Sequence, residues 1–137
     1  MLGSVRDSLT VSIQLAKNGL SVCVKALVDT GANGFAFLDV FLAERLARHF
    51  QHHVVPLKQP CKVKGFDGKT ENVITHLIVL TLVVDKHMIY NLPFLIVRLG
   101  KHDVILERMW LAEYKVMVDY ARKRLLWPKE VSLREEI

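Results

Sequence analysis

The chain has 137 residues, 51% of them hydrophobic, and a formal net charge of +5 at pH 7. A chain of this length forms one domain, and its apolar content supplies a real core, which excludes wholesale disorder. The longest apolar run, Leu77 to Val84, contains Thr81 and is far shorter than the roughly 20 residues that a membrane span needs.

The first predicted elements form a hairpin. Apolar and polar residues alternate over 9–15 and again over 20–26, which predicts two half-buried strands. Asn18-Gly19 between them is a strong signal for a two-residue turn, because both positions tolerate positive φ. The second strand continues through Leu27-Val28 into Asp29-Thr30-Gly31-Ala32. We expect a tight turn that projects the Asp29 carboxylate beside an apolar core, a setting suited to acid–base chemistry.

A short amphipathic helix is predicted next. Apolar residues recur every four positions from Leu38 to Phe50, with charged residues between them, which indicates a helix over roughly 39–49. His49, His52 and His53 close this segment, but no acidic or cysteine partner stands at ligand spacing. We therefore interpret them as a polar helix end, where cationic side chains suit the helix dipole, and predict no metal site.

The remainder of the chain indicates further strands. Residues 54–57 and 61–64 are predicted as separate strands on either side of Pro60, and Gly65-Phe66-Asp67-Gly68 as a hairpin tip. Long strands follow over 73–84 and 88–97, and the wholly apolar Val104-Ile105-Leu106 indicates a strand buried on both faces. Residues 108–114 indicate one or two helical turns, 116–118 and 125–127 a last hairpin, and 129–137 a tail. The pattern predicts a mainly-β, barrel-like domain with one or two short helices.

Charge, cysteines and targeting signals narrow the choice of partners and compartment. The basic residues are scattered apart from Arg122-Lys123-Arg124, which we interpret as a solvated turn, so a nucleic-acid-binding β-domain ranks last among our hypotheses. Cys23 and Cys61 form no CxxC pair, which favours reduced thiols that are buried or half-buried. We find no signal-peptide pattern and expect a soluble, intracellular protein.

Four segments, in this order, carry a family resemblance. Leu27 to Ala32 matches a catalytic turn, and Lys64 to Thr70 stands where a flap hairpin belongs. Leu99 to Leu111 resembles a loop, apolar triplet and Trp-Leu helix, and Val118-Asp119-Tyr120 begins a similar closing hairpin. Together they resemble the retropepsin-like aspartic proteases, most closely the protease domain of gypsy-type retrotransposons or a domesticated descendant. The resemblance implies a closed acid-protease barrel with one lobe per chain, a single domain over 1–137 with its core at about 9–128.

The resemblance also implies a mechanism. Asp-Thr-Gly occurs once, whereas an aspartic protease needs two such aspartates, so a homodimer would pair Asp29 of each chain. The pair would activate a water to hydrolyse peptide bonds, with no metal and no cofactor. Thr30 would lock the two turns across the twofold axis, while Gly31 and Ala32 leave room for substrate. Gly65, Phe66, Asp67 and Gly68 would form the flap that covers it. The resemblance further implies that the substrates are polyproteins, cleaved in the cytoplasm or within retroelement particles.

One residue departs from the family pattern. Glu107 stands after Ile105-Leu106 where the family carries glycine, close behind the catalytic turn. A glutamate there must swing outward or bury a charge, with Arg108 or Lys101 as possible partners. An alternative function is therefore a catalytically impaired dimer of the same fold that binds peptides or scaffolds a partner. Other acids are poor catalytic candidates: Asp67 belongs to the hairpin tip, Asp103 lies in a loop, and Asp119, which no Thr-Gly follows, is interpreted as structural.

Overall fold

A computed structural model of the chain describes residues 8–64 and 71–128. Over these ranges the chain forms nine strands and two helices. In chain order they are β1 (Ser8–Lys17), β2 (Leu20–Asp29), β3 (Ala36–Asp39), α1 (Val40–Phe50), β4 (Val55–Lys64), β5 (Glu71–Val84), β6 (His87–Val97), β7 (Val104–Glu107), α2 (Arg108–Glu113), β8 (Met117–Asp119) and β9 (Arg124–Leu126).

Six of the strands close into a barrel. The hydrogen-bonded order β1-β2-β7-β3-β6-β5 returns to its start because β5 also pairs with β1. Strand β5 can serve three neighbours because it is 14 residues long. One of its edges pairs with β6, while the other is shared between β4 near its beginning and β1 near its end. The mainly-β barrel with two short helices predicted from the sequence is confirmed.

The first hairpin has the predicted turn. Asn18 and Gly19 both adopt positive φ, 53° and 80°, which matches the right-handed twist of the flanking strands. The register then runs without a break from Lys17 opposite Leu20 to Ser8 opposite Asp29. The hairpin therefore fixes where β2 ends, and with it the position of Asp29.

Strands β2, β7 and β3 lie between two apolar clusters. Val28 and Leu106 pack into the main core, whereas their neighbours Leu27 and Ile105 pack into a second, smaller cluster with Phe37. The two-sided burial predicted for residues 104–106 is confirmed, since all three are fully buried. A strand held on both faces has little freedom to shift its register, so the carboxyl end of β2 is rigidly placed.

The segment before α1 contains a strand that the sequence did not reveal. Residues 36–39 form β3, and Asp39 ends that strand and caps the helix by accepting a hydrogen bond from the Phe41 N–H at 3.1 Å. Its other carboxylate oxygen accepts from the buried Leu99 N–H at 3.0 Å. The helix itself, 40–50, agrees with the prediction to within one residue at each end. The Asp39 side chain therefore links the start of α1 to the loop that follows β6.

Two details of the sequence analysis were wrong. Residues 55–64 form one strand rather than two, because a register shift between Pro56 and Cys61 lets β4 follow β5 past Pro60 on its edge. Both cysteines are free and exposed rather than buried. Cys23 lies on the exposed side of β2, where the alternation is half-buried and exposed, and Cys61 lies on the exposed strand β4.

The last hairpin, β8–β9, is anchored by Trp127. Its indole N–H donates to Asp85 at 3.0 Å, its ring stacks on His87 with centroids 4.0 Å apart, and it meets the buried Trp110 edge-on at 6.2 Å. These contacts fasten the hairpin to the β5–β6 turn and to α2. The basic residues 122–124 are exposed, as predicted, but only Arg122 and Lys123 lie in the turn, because Arg124 is the first residue of β9.

We expect Asp39→Ala to lower the free energy of unfolding by about 2–4 kcal/mol, because it removes the helix cap and leaves the buried Leu99 N–H without an acceptor. Urea denaturation measures the change. Glu44→Ala, an exposed position on the same helix, is the control and should stay within about 0.5 kcal/mol of the parent. An Asp39→Ala protein as stable as this control would contradict the role given to Asp39.

Candidate active site

Asp29 is the last residue of β2 and is fully buried. Its Oδ1 accepts a hydrogen bond from the Gly31 N–H at 2.9 Å, so the carboxylate folds back over the turn that follows it. This is the local bond that an aspartate makes when it initiates a turn. The strand end, the turn and the side chain are thereby fixed relative to one another, as predicted from the Leu27 to Ala32 segment.

The loop after this turn is attached to the junction of β7 and α2. The backbone N–H groups of Glu107, Arg108 and Met109 donate to the carbonyl oxygens of Phe35 at 2.9 Å, Ala32 at 3.0 Å and Gly34 at 3.0 Å, respectively. The first N–H groups of a helix have no partner within the helix, so this loop satisfies them. We call residues 32–35 the support loop, because it lies between the candidate turn and β3.

Thr30 meets a residue from the closing hairpin. Its Oγ1 lies 2.6 Å from the Tyr120 hydroxyl, a short hydrogen bond in which either oxygen can donate. The bond is exposed and joins the candidate turn to the β8–β9 hairpin of the same chain. Within one chain, the Thr30 hydroxyl therefore has a partner, and its role across a twofold axis stays a prediction.

Glu107 turns inward. It lies opposite Asp29 in the parallel register of β2 and β7, and only 2% of its surface is exposed. Its Oε1 accepts from the Gly34 N–H at 2.8 Å, while its Oε2 is buried without a hydrogen-bond partner. Arg108 and Lys101 are both exposed, and over 8–64 and 71–128 no cation pairs with this carboxyl group. The pairing suggested from the sequence is thus not found.

Burial determines the protonation of Glu107. Loss of hydration raises its pKa from the usual 4.5 to about 7, and the neighbouring Asp29 charge adds to the increase. The hydrogen bond from Gly34 acts in the opposite direction but does not offset the burial. Below pH 7 this side chain is therefore mainly a neutral carboxylic acid, which costs much less to bury than a carboxylate.

The other candidate residues differ in where they lie relative to Asp29. Gly31 and Ala32 lie in the turn beside Asp29, whereas Gly65, Phe66, Asp67 and Gly68 lie outside the described residues. Asp119 is structural, as predicted, since its carboxylate accepts from the Arg122 N–H and lies 4.0 Å from two arginines. Asp103 is exposed, and its carbonyl accepts from the Asp39 N–H.

The described part of the chain holds no cluster arranged to bind a metal, and none of its helices has the length and apolar character to cross a membrane. The predicted polar helix end includes His52, whose Nε2 forms a 2.9 Å hydrogen bond with the Val79 carbonyl.

Two residues of the site were given no role by the sequence. Gly34 contacts Glu107 so closely that a Cβ built on it would overlap Oε1 and lie 2.6 Å from the Phe37 ring. Tyr120 reaches Thr30 across 90 positions of the chain. Neither contact has a local sequence signal, although both residues fall within or next to segments on which the family resemblance rests.

A family model described as the PEG10/RTL1 protease domain matches residues 25–134. The crystal structure of the retroviral protease-like domain of Ddi1 from Leishmania major superposes with a TM-score of 0.56 at 19% identity, covering 87% of this chain and 88% of that one. A retropepsin-like aspartic protease from Rickettsia conorii gives a TM-score of 0.48 at 20% identity, with 87% of each chain covered. No curated protein matches the chain.

The stability of the fold should depend on the protonation of Glu107. Because its pKa is higher in the folded chain than in the unfolded one, its favourable contribution is full below about pH 4.5 and is lost as the pH rises through 7. The free energy of unfolding should fall over this range by up to about 3 kcal/mol relative to Glu107→Gln, which cannot ionise. Urea denaturation of both proteins from pH 4.5 to 8 measures the difference. Parallel pH profiles would contradict the assignment.

Proposed function

Because the chain belongs to the PEG10/RTL1 protease domain family, we propose that it is an aspartic endopeptidase that works as a homodimer. The observation that carries the proposal is Asp29, held by its own turn at the buried end of β2 in a retropepsin-like barrel. Its substrates are extended peptide segments of a retroelement polyprotein, cleaved in the cytoplasm or within retroelement particles. No cofactor takes part.

In the proposed site, Asp29 of one chain meets Asp29 of a second. Two carboxylates about 3 Å apart do not both ionise, so they share one proton and titrate as a unit. The ionised carboxylate takes a proton from a bound water, which attacks the peptide carbonyl, while the protonated one donates to the carbonyl oxygen. Since Asp29 is buried in the single chain, the side chains that cover it must move when substrate binds.

The surface beside the turn supports a second copy as the partner. A cavity of about 530 Å³ adjoins Thr30 and is lined mainly by apolar side chains, including Leu111 and Val116. Met117 lines the same cavity with 69% of its surface exposed. A second subunit would cover this surface and bring the two turns together, with Thr30 bonding across the axis in place of its bond to Tyr120.

An impaired, peptide-binding dimer is the second candidate function. The observation that favours it is the buried Glu107 beside Asp29, because a second acid so close disturbs the charge of a carboxylate pair. The two candidates share the fold and the dimer and differ in turnover. The assay of the wild-type chain therefore decides between them.

The first prediction of the proposal concerns Asp29. Asp29→Asn should lower kcat for peptide cleavage at acidic pH by at least about 10³-fold, because an amide neither activates the water nor shares a proton. Cleavage of a peptide library, read by mass spectrometry with and without a pepstatin-type inhibitor, measures it. Asp103→Asn, an exposed aspartate, is the control and should retain activity. Equal turnover by wild type and Asp29→Asn would reject the proposal, and no wild-type turnover would favour the impaired dimer.

The second prediction concerns the shared site. Mixing wild type with a ninefold excess of Asp29→Asn should reduce cleavage per wild-type chain about tenfold, because most wild-type chains then pair with an inactive one. The mixture is equilibrated before assay, and sedimentation velocity establishes that dimers form. If dilution into the variant leaves the activity per wild-type chain unchanged, each active site is complete within one chain.

A further inference from the structure

We propose that Glu107 is a positioning residue for the proposed cleavage: its carboxyl group holds the support loop behind Asp29 through the Gly34 amide. The inference rests on the proposed function for its kinetic part. The departure from the family's glycine at this position is then a functional feature of the chain and not a defect.

The first support is the direction of the side chain. Glu107 occupies the N-cap position of α2, yet its carboxyl group makes no capping bond to that helix. The N–H groups of Arg108 and Met109 donate to the support loop instead. The Glu107 carboxyl group is thus left to accept from Gly34, the one side-chain bond found between this junction and the loop.

The second support is that the hydrogen bonds between the support loop and the β7–α2 junction run in both directions. The backbone N–H groups of residues 107–109 donate to three carbonyl oxygens of the loop. The loop's own donor at Gly34 points the other way and needs an acceptor on the junction. Without the Glu107 carboxyl group this half-buried N–H would lose its partner, which destabilises the loop conformation that shields it from water.

The third support is steric. The space that the carboxyl group fills exists because residue 34 has no side chain, since a Cβ there would overlap Glu107 Oε1 and crowd the ring of Phe37. The acid and the glycine are therefore complementary in shape. Such a fit is not expected for a carboxyl group that merely tolerates burial.

The charge state completes the argument. The charged groups on the elements around Glu107 are the exposed Lys25 and the buried Asp29 on β2, Asp39 at the far end of β3, and the exposed Arg108 and Glu113 on α2, while the support loop has none. Burial, and to a smaller extent the charge of Asp29, favour the protonated acid. A neutral acid still accepts through its carbonyl oxygen, so the bond to Gly34 persists without a second negative charge beside Asp29.

The test separates the neutral isostere from the loss of the acceptor. At pH 5, Glu107→Gln should keep kcat within about threefold of wild type, whereas Glu107→Ala should lower kcat at least tenfold with a smaller change in KM, as expected for a misplaced catalytic group. Glu113→Gln, an exposed glutamate on α2, is the matched control and should behave as wild type.

A second readout does not require activity. In ¹⁵N-labelled protein, the Gly34 amide resonance should titrate near pH 7 in wild type and in Glu113→Gln, but not in Glu107→Gln. In Asp29→Asn, which is expected to be inactive, the titration should persist at a lower pH because the like charge is gone. This control assigns the titration to Glu107 rather than to Asp29.

Three results would overturn the inference. One is a Gly34 resonance that does not titrate in wild type, and another is a folded Glu107→Gln protein that loses activity at pH 5. The third is a Glu107→Gly protein that cleaves better than wild type, which would mark the acid as a defect. If wild type cleaves no peptide at all, the proposed function fails, and the Gly34 titration alone decides whether Glu107 positions the loop.

Discussion

The parallel pairing of β2 with β7 is the constraint on which the candidate site depends. It joins the last four residues of β2, which are buried, to β7, which is buried throughout, and its register sets Asp29 opposite Glu107. Because β7 leads directly into α2, the same pairing brings the first N–H groups of that helix to the support loop. The packing of a few apolar residues thus places the turn, the support loop and the helix, and the polar contacts between them depend on that placement.

The placement of two acids side by side gives the site a specific electrostatic character. The carboxyl group of Glu107 has neither solvent nor a cationic partner within the described chain. Its pKa is therefore raised, because the neutral, protonated acid is easier to bury than the carboxylate. Asp29 is buried as well and accepts a hydrogen bond from the Gly31 N–H, as Glu107 accepts one from the Gly34 N–H. The two neighbouring carboxyl groups are therefore both held by backbone amides of the segment between β2 and β3.

Much of the fold was predictable because its signals are local. The two-residue periodicity and Asn18-Gly19 predicted the first hairpin and the end of β2, and an unbroken apolar triplet predicted the doubly buried β7. Strand β3 was missed because four apolar-rich residues that run into a helix have no period of their own. The continuity of β4 was missed because an irregularity in the register allows the strand to continue past Pro60, and no residue type in the sequence indicates that irregularity.

The polar contacts of the site were less predictable, since they join distant positions. Glu107 and Gly34 are 73 residues apart, and whether the acid points inward depends on the missing side chain of its partner. The sequence posed the alternatives for Glu107 correctly but did not decide between them. The flap residues, Gly65 to Gly68, lie outside the described residues, so their role remains a prediction.

The Thr30–Tyr120 hydrogen bond has a consequence for assembly. A lone subunit already satisfies the threonine hydroxyl, so a bond across the proposed twofold axis would exchange one partner for another, with little net gain in free energy. Association into the proposed homodimer would then draw on the apolar surface around Met117. Under that proposal the polypeptide would be latent when scarce and become competent only above a threshold abundance, as when many copies are packed together.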